Sequence, residues 1–211
     1  MREKPIIYFD WDGTLADSMD LCVAELTETF RRMGLEQLPP EKYKLCNGPT
    51  NEESIPMMGI PEGRGEEYLR LRKEVGYELV PTHQKLFPGI RELLHGLKEK
   101  AELVIVSNGN GPYIHRSAEA CGIGDCFTRV QASVPGKTKG QLLAGLLEEQ
   151  RPEKAVMVGD RKGDILAGKE NNLPTLCACF GFGTSEEWAL ADRQAATVED
   201  MGRLLNEWLD N

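Results

Sequence analysis

Several things are scarce in this chain of 211 residues, and each scarcity removes a class of protein. No run approaches the roughly 18 consecutive apolar residues of a membrane-spanning helix. Met1-Arg2-Glu3-Lys4 leads straight towards an apolar strand with no signal-like segment. The six cysteines, Cys22, Cys46, Cys121, Cys126, Cys177 and Cys179, form no Cys-x-x-Cys pair and no zinc-finger spacing. They read as small buried hydrophobes of a reducing compartment, and a cytoplasmic location is expected. Histidine is limited to His83, His95 and His115, which lack metal-ligand spacing and read as surface or hinge residues. Basic side chains number 25 against 34 acidic ones, a formal charge of -9. Such a chain has no global field for nucleic acid or an acidic membrane, and neither is expected as a partner. An anionic small substrate has to be met locally, by a metal, a lysine or backbone amides. Repeats and low-complexity tracts are missing too, and 40% apolar with 28% charged residues is ordinary globular composition. This length buries one good core, or one core plus a small appended domain.

What is present begins with short apolar runs at 6–9, 103–106, 155–158 and 175–179, each with the look of a strand buried on both faces. A weaker strand is expected over 129–132. Helical stripes fall between them: Ile90, Leu93, Leu94 and Leu97 after Phe87-Pro88-Gly89; Leu142, Leu143, Leu146 and Leu147; and Val198, Met201, Leu204, Leu205 and Trp208. Strand alternating with helix predicts an α/β fold, a parallel sheet core with helices on both faces. Residues 16–84 break the rhythm with helical patterns and turns but no convincing strand. Cys22, Leu26, Phe30 and Met33 make a stripe ending at Gly34, and Pro39-Pro40 starts another unit. A helical insertion is expected there, standing over the end of the first strand, with hinges near 16–18 and 82–86.

The chemistry-bearing residues sit at strand ends. Asp10 and Asp12, in Phe9-Asp10-Trp11-Asp12-Gly13-Thr14-Leu15, form a carboxylate pair at the carboxyl end of the first strand, where open parallel sheets bind ligands. Two close negative charges share a proton or are neutralised by a cation, and an all-oxygen donor set favours a hard ion such as Mg²⁺. Ser107-Asn108-Gly109 follows the second core strand and offers a hydroxyl, an amide and permissive backbone to a phosphate oxygen. Gly136-Lys137-Thr138-Lys139-Gly140 brings a lysine and free amides to a helix amino terminus, an anion site by geometry. Gly159-Asp160-Arg161-Lys162-Gly163-Asp164 carries a second carboxylate pair.

Taken in order, Asp-x-Asp-Gly-Thr-Leu, Ser-Asn-Gly, the lysine and Gly-Asp-Arg-x-x-Asp resemble the haloacid dehalogenase superfamily over essentially the whole chain. Pro88-Gly89 and Phe180-Gly181-Phe182-Gly183-Thr184 look like its phosphoglycolate-phosphatase-like branch. The resemblance implies a Rossmann-like core over 1–15 and 85–211 and an inserted small α-helical cap domain over 16–84. It further implies an Mg²⁺-dependent phosphatase acting on a small phosphorylated metabolite through an aspartyl-phosphate. Asp10 is then the nucleophile and Asp12 the acid and base. Asp10, the Asp12 backbone carbonyl and Asp160 hold the metal, with Asp164 positioning a metal-bound water. Ser107 and Asn108 hold phosphate oxygens, and Lys139, preferred to Lys137, neutralises nucleophile and phosphoryl group. A dehalogenase is not expected to keep an acid at position 12, and phosphonate-cleaving relatives carry a small residue there. A sugar-phosphate mutase keeps both aspartates and stays an alternative, as does a non-catalytic phosphate-binding module. In the insertion, Lys44, Asn47, Thr50, Arg64, Arg70 and Arg72 are candidates for substrate choice, with the Asn47-Gly48-Pro49-Thr50 loop foremost.

Overall fold

Strand β1, Ile6–Phe9, is buried at every position because both its faces are covered. Ile7 and Phe9 enter one apolar cluster and Ile6 and Tyr8 the other, as the two-residue period of a strand requires. The computed structural model describes residues 4–211; Met1 to Glu3, at the start of the expected core segment, lie outside the described residues. After β1 come α1 Met19–Met33, α2 Pro40–Lys44, α3 Asn51–Met57, α4 Gly65–His83 and α5 Ile90–Leu97. Then follow β2 Glu102–Val106, α6 Gly111–Ala120, β3 Arg129–Gln131, α7 Lys139–Gln150, β4 Ala155–Gly159 and α8 Lys162–Glu170. The chain closes with β5 Thr175–Ala178, α9 Ser185–Trp188, β6 Arg193–Ala195 and α10 Val198–Asp210.

All six strands are parallel, in the order β3-β2-β1-β4-β5-β6. Ile90, Leu94, Ile114, Met201 and Leu205 pack α5, α6 and α10 on one face, and Leu143, Leu146 and Ala167 pack α7 and α8 on the other. The chain runs outward from β1 to β3, then returns to β4 and runs outward the opposite way. The reversal lies between β1 and β4, so the loops leaving their carboxyl ends diverge and leave a crevice. Strand β6 was not expected from the sequence; Arg193 and Gln194 are exposed on a sheet edge and carry no apolar signal.

The segment between β1 and α5 adds no strand to the sheet. Leu26, Phe30, Tyr43 and Tyr68 anchor a separate apolar cluster of its helices, and α1 ends at Gly34, whose φ of 65° suits a left-handed C-cap. The chain enters and leaves this segment side by side: Asp17 N–H donates to the Lys85 carbonyl and Phe87 N–H to the Leu15 carbonyl, both at 3.1 Å. The second crossing is shorter than expected, because α4 continues through Pro81 to His83.

Candidate active site

The β1 and β4 register pairs Phe9 with Val158, and Asp10 N–H donates to the Val158 carbonyl at 2.8 Å. Asp10 and Asp160 therefore leave adjacent strand ends together. Asp164, one turn into α8, faces the same crevice, and the carboxylate oxygens of Asp10, Asp160 and Asp164 lie within 4.8 Å of one another. Lys139, the first residue of α7, reaches in from the helix that packs beside α8. Its Nζ is 2.8 Å from Asp10 Oδ1 and also pairs with Asp164 Oδ1. All four side chains are buried, Lys139 at 8% exposure being the most open.

Two of the three carboxylates are held in place by backbone. Arg161 N–H donates to Asp164 Oδ2 at 3.0 Å and Phe182 N–H to Asp160 Oδ2 at 2.6 Å. Gly13, at φ +84°, lies so close to Asp160 that a Cβ there would overlap its carboxylate; only glycine lets the first motif turn under the fourth. Three carboxylates around one ammonium leave an excess of negative charge in a desolvated place. Burial, then the Asp164 charge, raises Asp10 to about 7 against the pull of Lys139. Burial, then Asp164 and Asp10, pushes Asp160 up. The group is short of one cation, and an all-oxygen donor set suits a hard divalent ion.

Asp12 stands beside this group, half-buried. Burial raises its pKa, while hydrogen bonds from Ser18 and Tyr113 oppose the rise; the Tyr113 hydroxyl donates to Asp12 Oδ1 at 2.7 Å. Asp10, Asp12, Ser107 and Asn108 line a cleft of about 690 Å³, counting its solvent-open mouth. Its roof is the helical insertion: Asn47, Gly48 and Pro49 from the loop after α2, and Glu25, Arg72, Lys73 and Tyr77 from α1 and α4.

The sequence profile of the haloacid dehalogenase-like hydrolases matches residues 7–178 of this chain. The chain belongs to that family. It is 26% identical over 189 residues to a phosphoglycolate phosphatase of Synechococcus elongatus, covering 88% of each protein. It is also 27% identical over 215 residues to the tyrosine-protein kinase PtkA of Mycobacterium tuberculosis, covering 97% of this chain and 72% of the relative. In fold it matches a haloacid dehalogenase-like protein of Streptococcus pneumoniae with a TM-score of 0.85, 24% identity, and coverage of 98% of this chain and 100% of that one.

Within this member of the haloacid dehalogenase-like family, the residues singled out from sequence meet unevenly. Asp10, Asp160, Asp164 and Lys139 form one cluster, and Lys137 points to solvent. Ser107 is buried at the cleft floor and accepts a hydrogen bond from Gly109 N–H at 3.1 Å. Asn108 turns its amide to the roof and donates to the Gly48 carbonyl at 3.0 Å. Of the six candidates in the insertion only Asn47 and Arg72 line the cleft. Lys44, Arg64 and Arg70 instead pair with Glu41, Glu67 and Glu74 on their own helices, and Thr50 caps α3. Sequence reasoning missed Ser18, Glu25 and Tyr113. Glu25 alone left a trace, a charge beside the apolar stripe of α1; the others become visible only when the chain is folded.

Proposed function

We propose that this protein is an Mg²⁺-dependent phosphatase that hydrolyses a small phosphorylated metabolite through an aspartyl-phosphate on Asp10. The observation that carries this is Lys139 Nζ at 2.8 Å from Asp10 inside a buried three-carboxylate cluster at the sheet's reversal point. Kinship to a phosphoglycolate phosphatase favours a phosphoglycolate-like ester as substrate. We read residues 16–84 as a cap over a core made of 1–15 and 85–211, the single antiparallel bridge between Ala16 and Leu86 marking its hinge. No described helix is long and apolar enough to cross a membrane. A reducing cytoplasmic setting fits the free, mostly buried cysteines.

In this reading Asp10, the Asp12 carbonyl and Asp160 would hold Mg²⁺, which would supply positive charge to the phosphoryl oxygens, and Asp164 would orient a water beside them. An Asp10 oxygen attacks phosphorus as the bond to the leaving oxygen breaks, and Asp12 gives that oxygen its proton. Water then attacks the phosphorus of the aspartyl-phosphate, Asp12 takes back a proton, and inorganic phosphate leaves. Lys139 draws the Asp10 pKa down against the effect of burial, while Ser107 and Asn108 bind phosphate oxygens. Such hydrolysis is among the slowest uncatalysed reactions, so positioning and charge have to supply nearly all of the acceleration.

The test is turnover of an aryl phosphate with Mg²⁺. Asp10→Asn is expected to lose several orders of magnitude with an unchanged circular dichroism spectrum. A near wild-type rate in that variant removes the covalent route, and absence of turnover by the wild type under every divalent ion leaves a phosphate-binding module instead.

A further inference from the structure

The roof of the cleft contains a buried ion pair that packing does not require. Arg72, on α4 and 6% exposed, donates from Nε to Glu25 Oε1 on α1 at 2.5 Å. Its Nη1 bonds the Ser54 hydroxyl at 2.9 Å and the Tyr68 hydroxyl at 3.4 Å. Among the described residues Nη2 has no hydrogen-bond partner, and no protein donor reaches Glu25 Oε2. Neither atom is sealed in: the unpartnered atoms enclosed by described residues are Trp11 Nε1 and Ser117 Oγ. Both residues line the same cleft as Asp10 and Asp12. Gly76 makes the arrangement possible, since a Cβ there would stand 2.9 Å from Oε2. A buried ion pair is a poor source of stability compared with apolar packing of the same volume, and this cap already has an apolar cluster of its own.

We infer that Glu25 and Arg72 form the subsite for the leaving group, and that it takes a polyhydroxylated one, a sugar or polyol phosphate. This rests on the phosphatase reading and departs from the phosphoglycolate-like ester that kinship alone favours. A side-by-side pair presents one acceptor, Oε2, and one donor, Nη2. Neighbouring hydroxyls answer both, one donating to Glu25 and the next accepting from Arg72. A carboxylate on Nη2 would sit against Glu25, and an ammonium on Oε2 against Arg72; each meets a like charge. Lys73, the other cation lining this part of the cleft, is exposed at the rim with Nζ 5.8 Å from the Tyr77 ring centre. The subsite therefore disfavours phosphoglycolate, whose small leaving group carries a carboxylate.

Binding can be read without turnover, on Asp10→Asn protein with Mg²⁺, by calorimetric titration with ribose 5-phosphate, glycerol 3-phosphate and 2-phosphoglycolate. At least one of the two hydroxylated esters is expected to bind at least ~10-fold tighter than phosphoglycolate, the scale of one hydrogen bond to a charged group. Adding Glu25→Gln should shrink that ratio by ~10-fold, and Gly76→Ala, which crowds Glu25, should shrink it as well. Equal or tighter binding of phosphoglycolate by the unaltered cap overturns the assignment, as does a ratio that Glu25→Gln leaves in place. If Glu25→Gln does not fold, the comparison of ligands on the unaltered cap decides alone. Failure of the phosphatase reading registers separately, as wild-type protein that does not turn over aryl phosphate.

Discussion

Tyr113 gives Asp12 a neutral donor where a cation would have fixed it as a permanent carboxylate. Burial, and next the Asp12 charge, hold the phenol well above its ordinary pKa, so it stays protonated and donates. On the proposed route Asp12 carries a proton when the leaving oxygen departs and lacks one when water attacks, which a neutral partner permits. Gln84 Oε1, just past α4, lies 3.4 Å from the same hydroxyl and is a more distant acceptor for its one proton. Tyr113→Phe removes a bond that lowers the Asp12 pKa; that pKa then rises. Because the first step uses protonated Asp12, the alkaline limb of the kcat/KM profile should move to higher pH. Turnover should fall roughly tenfold, about 1.4 kcal/mol, with KM little changed. An unmoved alkaline limb in the variant would show that Tyr113 serves packing only. Nothing in the sequence pointed to this residue, because its partner is 101 positions away and a lone tyrosine on a helix looks like core.

At the scale of elements, the start of α7 decides where the lysine stands. Thr138 accepts from Gln141 N–H at 3.2 Å, and the Gln141 side chain accepts from Thr138 N–H at 2.9 Å, a reciprocal capping box. Lys139 is the next residue, so its backbone is pinned by that cap. Thr138→Ala should cost about 1 kcal/mol in denaturant unfolding and lower kcat several-fold, whereas Lys137→Ala, two residues away and in solvent, should change neither. Equal effects of both substitutions would deny the cap its role. The buried strands were legible because helices on both faces leave unbroken apolar runs, and the motif residues followed from where those runs end. The end of α4 was not, since Pro81 looks like a stop. In the last turn it removes one backbone donor without breaking the helix. The cap's site was not legible either. Lys44, Arg64, Arg70 and Arg72 are alike in sequence, and only packing shows that Arg72 alone turns inward.

For the molecule as a whole, the buried carboxylate cluster weakens the fold when no divalent ion balances it. Asp10, raised to about 7 from 3.8, favours folding fully below pH 3.8 and loses that contribution as pH rises through about 7. Asp12, Asp160 and Glu25, all raised by burial, act in the same direction. Carboxylates lowered by hydrogen bonds act the other way: Glu28, drawn to about 2 by Arg31 and Arg32, and Asp192, lowered by Thr175, lose their contribution only as pH falls below their ordinary values. Between about pH 4.5 and 7 the raised group therefore dominates. Chelator-treated protein should melt at lower temperature at pH 8 than at pH 5, each lost kcal/mol being worth about 2–4 °C in a domain of this size. Mg²⁺ should raise the midpoint more at pH 8, where the ligands are already ionised. General repulsion from a charge of -9 has the same sign, but salt screens it, whereas the buried cluster is screened far less. The slope should thus survive high salt and flatten in Asp10→Asn. A slope that salt abolishes, or that Asp10→Asn leaves intact, would place its origin on the surface and not in the cluster.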